Sequence, residues 1–280
     1  MTWLTAQIQK TKTQNSQIEK KEDNTYAPTT FTAKFAIDET KTKELNATVD
    51  YMLAKDVQTD DRIELKRTVQ VLQPNILSTT GVTEKNYSGW KLDQITVNGE
   101  TVEKLPEKVE DGATVIYHYI ADFTDLDAVG FEEFYNGQPW QINVMGALDS
   151  DVIHYYKIDA QTAKVGEEIQ NSFINVSDST AVLVEVMRGS NEEIWTKTVD
   201  ATVKCVDVEL TADSGKKVYD SAPLEIFTYT ITAGAFVSDE GLEEVTVEGS
   251  QTYVGSSDSE ITAYTFKDGT LGENYNIICK

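Results

Sequence analysis

The chain has 280 residues, with 47 acidic side chains against 24 basic ones and a formal charge of −23. Phosphate recognition needs a net or local basic surface, and no run of Lys and Arg offsets the acidity, so the balance speaks against a nucleic-acid binder. With 40% hydrophobic and 25% charged residues the composition is that of a folded globular chain of two or three domains.

No apolar stretch approaches the roughly 18 residues that cross a bilayer, and MTWLTAQIQKTKTQNSQIEKK lacks the apolar core of a signal peptide. The chain is read as a soluble fragment of a longer parent, without membrane insertion and monomeric. Residues 1–26 are polar, with Leu4, Ile8 and Ile18 far apart, and read as a leader or linker. From Phe31 the period is two: Phe31, Ala33, Phe35 and Ile37 alternate with Thr32, Lys34 and Ala36. The alternation recurs at Ala47, Val49, Tyr51 and Leu53, and at Ile63, Leu65, Val69 and Val71 with a slip between. These predict half-buried antiparallel strands.

Asn98-Gly99 lies between ITV and ETV; both central residues of a type I′ turn need positive φ, so this dipeptide predicts a hairpin. A strand over residues 113–121 follows the Asp111-Gly112 turn. Residues 126–134 are the only weak helical candidate, and the class is all-β.

An internal repeat organises the second half. Tyr135-Asn136-Gly137-Gln138-Pro139 returns as Tyr219-Asp220-Ser221-Ala222-Pro223; Asn175-Val176-Ser177-Asp178-Ser179 matches Tyr253-Val254-Gly255-Ser256-Ser257; Thr202-Val203-Lys204-Cys205 matches Asn276-Ile277-Ile278-Cys279. Three signals in one order predict two copies of a unit the size of an immunoglobulin-like sandwich. In the first motif Asn or Asp and Gly supply positive φ, Pro blocks further pairing, and the Tyr is expected to anchor the turn on its own sandwich. Ser221 replaces Gly, which predicts a turn of another type.

The segments KKVYDSAPLEIFTYTITAGAF, VTVEGSQTYVGSSDSEITAYTFKDG and ENYNIICK resemble the repeated immunoglobulin-like modules (YDG-type, MBG-like) of very large surface adhesins from gut-associated Gram-positive bacteria. The typical runs there are KVYDGTPL, TYTITSG, VTGSQTNVGTSDNTI and NYNI. FYNGQPWQINV, with NSFINVSDSTAVLVEVMRGSNEEIWTKTVDATV, resembles the sister module. The resemblance covers about residues 128–280, and residues 27–121 resemble a further module less closely. It implies tandem immunoglobulin-like antiparallel β-sandwiches in an elongated arrangement, with domains at 27–121, 122–206 and 207–280. It also implies a non-catalytic stalk or adhesive segment of a secreted, cell-wall-attached protein at the cell surface. The alternative is a carbohydrate-binding accessory module of a secreted glycoside hydrolase.

There is no GxSxG, GxxxxGK, HExxH or GxGxxG, and among 47 carboxylates pairs such as Glu132-Glu133 and Glu243-Glu244 arise by chance, so no enzyme is expected. His118 and His154 read as strand residues. No cofactor is expected; calcium at Asp122, Asp125 and Asp127 is weighed against a solvated acidic loop, with Asp149 and Asp151 flanking a hairpin. Lys34 is the one candidate for an isopeptide bond. Cys205 and Cys279 lack zinc spacing; they read as two buried thiols, or as a disulfide across the first and last strands of the last domain. A sugar face stacks on exposed aromatics. Trp140 with Tyr155 or Tyr156 is the candidate ligand patch for glycans, mucin or extracellular-matrix protein, while Trp90 and Trp195 read as core.

Overall fold

The computed structural model describes residues 40–54, 57–159, 161–189 and 193–280. The strand expected from Phe31 to Ile37, with Lys34, lies outside the described residues. No α-helix occurs among the described residues. The first eight strands are β1 (Thr42–Leu53), β2 (Val57–Gln58), β3 (Ile63–Gln70), β4 (Ile76–Ser78), β5 (Trp90–Val97), β6 (Glu100–Val102), β7 (Lys108–Glu110) and β8 (Thr114–Ala121).

Two compact units divide the chain. One holds residues 40–48 with Glu64–Thr80 and Pro106–Ala113; the other holds Val49–Ile63, Gly81–Leu105 and Thr114–Lys280. In the smaller unit β4 pairs antiparallel with β7, from Ile76 opposite Glu110 to Ser78 opposite Lys108, and buries Leu77, Val109 and Val69. Val71, expected inward, is 44% exposed because the strand has ended at Gln70. Asp111-Gly112 turns with Gly112 at φ +82°, its amide donating to the Asn46 carbonyl.

The larger unit opens with a sheet ordered β2-β1-β8-β5-β6, here called the leading sheet. Alternation buries Val49 and Tyr51 of β1 and Val115, Tyr117, Tyr119 and Ala121 of β8. Tyr51 stacks on Tyr117 at 5.0 Å and donates its hydroxyl to the Thr83 carbonyl, which satisfies the buried polar end. The β5–β6 hairpin turns on Asn98 and Gly99 at φ +52° and +84°, as the dipeptide requires.

Seven strands follow: β9 (Asp127–Val129), β10 (Phe131–Phe134), β11 (Asn143–Met145), β12 (Val152–Ile158), β13 (Val165–Ile169), β14 (Thr180–Arg188) and β15 (Glu193–Lys204). They form the second module: a sheet ordered β10-β15-β14-β12-β13, and a smaller pair β9–β11, between which Val182, Val184, Val186, Val203 and Phe173 are buried. Residues 126–134, the helical candidate, are two strands. Leu126 and Ala128 face the core along β9; then Gly130 breaks the pairing and Phe131 packs inward on β10, which pairs parallel with β15. A Cβ at Gly130 would lie 2.0 Å from the Asp200 carbonyl oxygen, so only glycine lets the chain cross there.

The third module comprises β16 (Val206–Ala212), β17 (Leu224–Glu225), β18 (Tyr229–Ala233), β19 (Leu242–Glu248), β20 (Ser250–Gln251), β21 (Glu260–Phe266) and β22 (Tyr275–Cys279). Here one unbroken strand does what β9 and β10 share: β16 pairs antiparallel with β18 and parallel with β22. The β19–β21 pair corresponds to β12–β14. Both modules therefore set their first strand beside their last, running parallel, and the fold is all-β, a succession of immunoglobulin-like strand arrangements.

Candidate functional site

Trp140 is half-buried: it forms a lone bridge with Phe173, its ring lies 6.3 Å from Phe131, and its indole Nε1 donates to the Phe134 carbonyl at 3.2 Å. Tyr155 packs on the core of the second module. Alternation sends Tyr156 to the other face of β12, beside His154, whose ring is 6.1 Å away and whose Nδ1 meets Glu168 Oε1 at 2.6 Å. No ring contact among the described residues joins Trp140 to either tyrosine. His118 lies on β8 with Nε2 2.9 Å from the Thr96 hydroxyl, and burial lowers its pKa against the pull of Asp93. Trp90 and Trp195 are half-buried, Trp195 against the second module's core.

The acidic loop does not converge. The Asp122 carboxylate accepts from the Thr124 amide and hydroxyl, and Asp127 Oδ1 pairs with Lys197 at 2.5 Å. Among the described residues no three His, Cys, Asp or Glu side chains form a metal-holding group. Cys205 and Cys279 are free thiols, the first half-buried and the second exposed, so the expected pair of buried thiols is corrected at Cys279. The alternative, a disulfide, is corrected by the parallel register. Cys205 precedes Val206, which lies opposite Tyr275, while Cys279 lies opposite Leu210; about five residues of strand at roughly 3.3 Å each hold the sulfurs at opposite ends.

Two side-chain networks that the sequence reading missed sit at module ends. Arg188 ends β14 at a core-facing position, 1% exposed. Its Nε and Nη2 donate to the two oxygens of Asp151 at 2.8 and 2.7 Å, and its Nη1 donates to the Gly89 and Asp122 carbonyls, both at 2.8 Å. Those carbonyls belong to the end of the β5–β8 ladder, so one guanidinium ties the leading sheet to the second module. The Asp151 side chain is fully buried; burial pushes its carboxyl up, but Arg188 and the Leu148 amide together hold it below the ordinary value. A side chain at Gly89 would collide with Arg188 Nη1 at 2.7 Å.

The second network joins the second and third modules. Tyr135, 6% exposed, donates its hydroxyl to Glu240 Oε1 at 2.7 Å, and the Tyr275 hydroxyl donates to the other oxygen of the same carboxylate. Burial first, then the Glu240 charge, raises the Tyr135 phenol to about 12. Asn274, fully buried, accepts from the Val176 amide and donates to Asn175 Oδ1, both at 2.9 Å; Ser177 donates to Glu273 at 2.5 Å. Tyr135 thus anchors its turn on the following module rather than on its own. A tyrosine in a repeated turn was the available signal; its acceptor 105 residues away was not.

In the third module the matching turn differs in surroundings and not in geometry. The Ala222 amide donates to Asp220 Oδ1 at 3.0 Å, as the Gln138 amide does to Asn136 Oδ1 at 2.8 Å. Ser221 stands at φ +68° where Gly137 stands at +75°, which corrects the expectation of another turn type. Tyr219, however, is 56% exposed. This turn and the loop from Gly249 to Ser259 border an open cavity of about 560 Å³, lined also by Ser214, Lys216, Leu224 and Ile226. Val218, Tyr253 and Val254 around it are 89%, 78% and 86% exposed.

No family model matches the chain, and no curated protein matches it. Among solved structures, the N-terminal four Ig domains of Dscam1 isoform 6.44 align over 81% of this chain and 70% of that one, at 10% identity and a TM-score of 0.23. A variant of three titin Ig domains aligns over 85% and 97%, at 9% identity and a TM-score of 0.24. Scores of this size do not carry the fold assignment, which rests on strand order and register.

Proposed function

We propose that the chain is a non-catalytic stalk or adhesive segment of a secreted, cell-wall-attached bacterial surface protein. The observation that carries this reading is how the second and third modules are joined. Only Cys205 separates β15 from β16, and the buried Asn274 with the Tyr135–Glu240–Tyr275 group fixes one module on the next. Such a joint favours transmitting position along a chain over opening and closing around a substrate. The test is urea unfolding followed by tryptophan fluorescence in a chain with Trp3→Phe and Trp90→Phe, so that Trp140 and Trp195 report the second module, and by hydrogen exchange of β16–β22. Coincident transitions that separate in Asn274→Ala are expected; two transitions already separate with Asn274 in place would defeat the reading.

The outward Tyr156 beside His154 favours a second reading, a carbohydrate-binding accessory whose partners are host or dietary glycans, mucin or matrix protein. Binding to an immobilised panel of these, with and without calcium, lost in Tyr156→Ala, is the outcome that reading requires.

A further inference from the structure

We infer that the cavity of the third module is the seat for the leading end of another module built like residues 206–280. The inference deepens the stalk reading and rests on it, because it treats the module as a unit that can be added again. The second module grips the third with two segments. One is the Tyr135 turn, where the Tyr135 hydroxyl reaches Glu240 and Gly137 lies against Val237. The other is the 175–177 loop, where the Val176 amide and Asn175 side chain hold Asn274.

The counterparts of both segments in the third module, the Tyr219 turn and the 253–255 loop, meet around one cavity. They lie at the same end of the module, though Tyr219 stands seven residues beyond Ala212, whose amide holds the position that the Tyr135 amide holds in the second module. The Tyr135 amide donates to the carbonyl of Lys204, where the chain leaves the second module. In the third, the Ala212 amide donates to Lys280, and Ser259 of the cavity wall donates to the carbonyl of the adjacent Asp213.

What distinguishes the two turns is exposure. Tyr135 is 6% exposed and Tyr219 is 56%. The Val254 amide, counterpart of the Val176 amide that Asn274 engages, has no hydrogen-bond partner among the described residues, and neither has the Tyr253 hydroxyl. Apolar and polar groups left together in this way mark an interaction surface.

The occupant follows from the chemistry of the existing joint. The third module's leading end presents Glu240, Glu273 and Asn274 to the module before it. A like end would offer Tyr219 a carboxylate and the Val254 amide a side-chain carbonyl. Lys216 at the cavity rim makes no ion pair among the described residues, and Asp258 lines the same cavity. Lys217 is already neutralised by Asp220 at 2.9 Å.

The test compares the full chain with a chain extended beyond Lys280 by a second copy of residues 206–280, that copy carrying Tyr253→Phe so that its peptides differ in mass. Amide exchange over the original 252–257 loop should slow at least tenfold in the extended chain, and Val254→Asp in the original loop should restore the fast rate. Unchanged exchange overturns the inference, whether the added copy is protected along its own strands or remains unprotected. Slowing in the unextended chain by a neutral oligosaccharide, or by raised concentration of the chain itself, overturns it in favour of a sugar or a second copy. The coincident unfolding of the second and third modules does not involve this cavity, so the stalk reading fails or survives separately.

Discussion

The two joints of the larger unit solve one problem with opposite chemistry. Between the leading sheet and the second module, a single buried guanidinium faces a buried carboxylate and two backbone carbonyls. Between the second and third modules, neutral amides and phenols surround one half-buried carboxylate. A buried ion pair gains little over an apolar substitute, yet losing one partner strands a charge out of water. A network of neutral groups loses less at each deletion, because each group alone costs less to desolvate. The first joint is therefore all-or-none, and the second is graded.

The comparison breaks first at Arg188. Arg188→Ala leaves Asp151 buried and alone and should destabilise the chain by about 3–5 kcal/mol in urea unfolding. Arg188→Lys should recover only part, since an ammonium cannot serve the carboxylate fork and two carbonyls together. Asn274→Ala, which orphans the Val176 amide, should cost about 1–3 kcal/mol and act on the second joint alone.

pH separates the joints without mutation. The Asp151 carboxyl is held below 3.8, so its contribution is present above about pH 3.8 and is lost as pH falls through the folded value. Tyr135 is raised from 10.0 to about 12, so its contribution is complete below pH 10 and is lost as pH rises through about 12. Exchange at residues 148–151 should rise at the acid limit, and at residues 175–177 at the alkaline limit. The reverse assignment would refute the contrast between the joints. The smallest effect sharpens the comparison of the repeated turns: Ser221→Gly relieves a left-handed serine and should stabilise the third module by about 0.5–1 kcal/mol, read as a small rise in its urea midpoint.

The strands were legible because alternation survives wherever one face is buried, as along β1 and β8. The 126–134 segment misled because Gly130 shifts the alternation by one: inward residues at 126, 128 and 131 mimic a helical spacing that a strand crossing between sheets also produces. Arg188 carried a readable signal, a charge in register with Val182, Val184 and Val186 on an inward face, though nothing local names Asp151 as its partner. The turn motif was legible as a turn. What its tyrosine touches lies outside the motif: Tyr135 meets Glu240 and Tyr275, whereas Tyr219 is exposed. The cysteine pairing failed because spacing cannot report whether two strands run parallel.

That parallel pairing has a mechanical consequence. The chain comes into the third module on β16 and goes out on its neighbour β22, in register from Val206 opposite Tyr275 to Leu210 opposite Cys279; β10 and β15 stand in the same relation in the second. A pull on the two ends of either module drives these strands past each other along their length. The whole ladder resists in shear, every rung stretched together, and no end is offered from which it could be peeled one bond at a time.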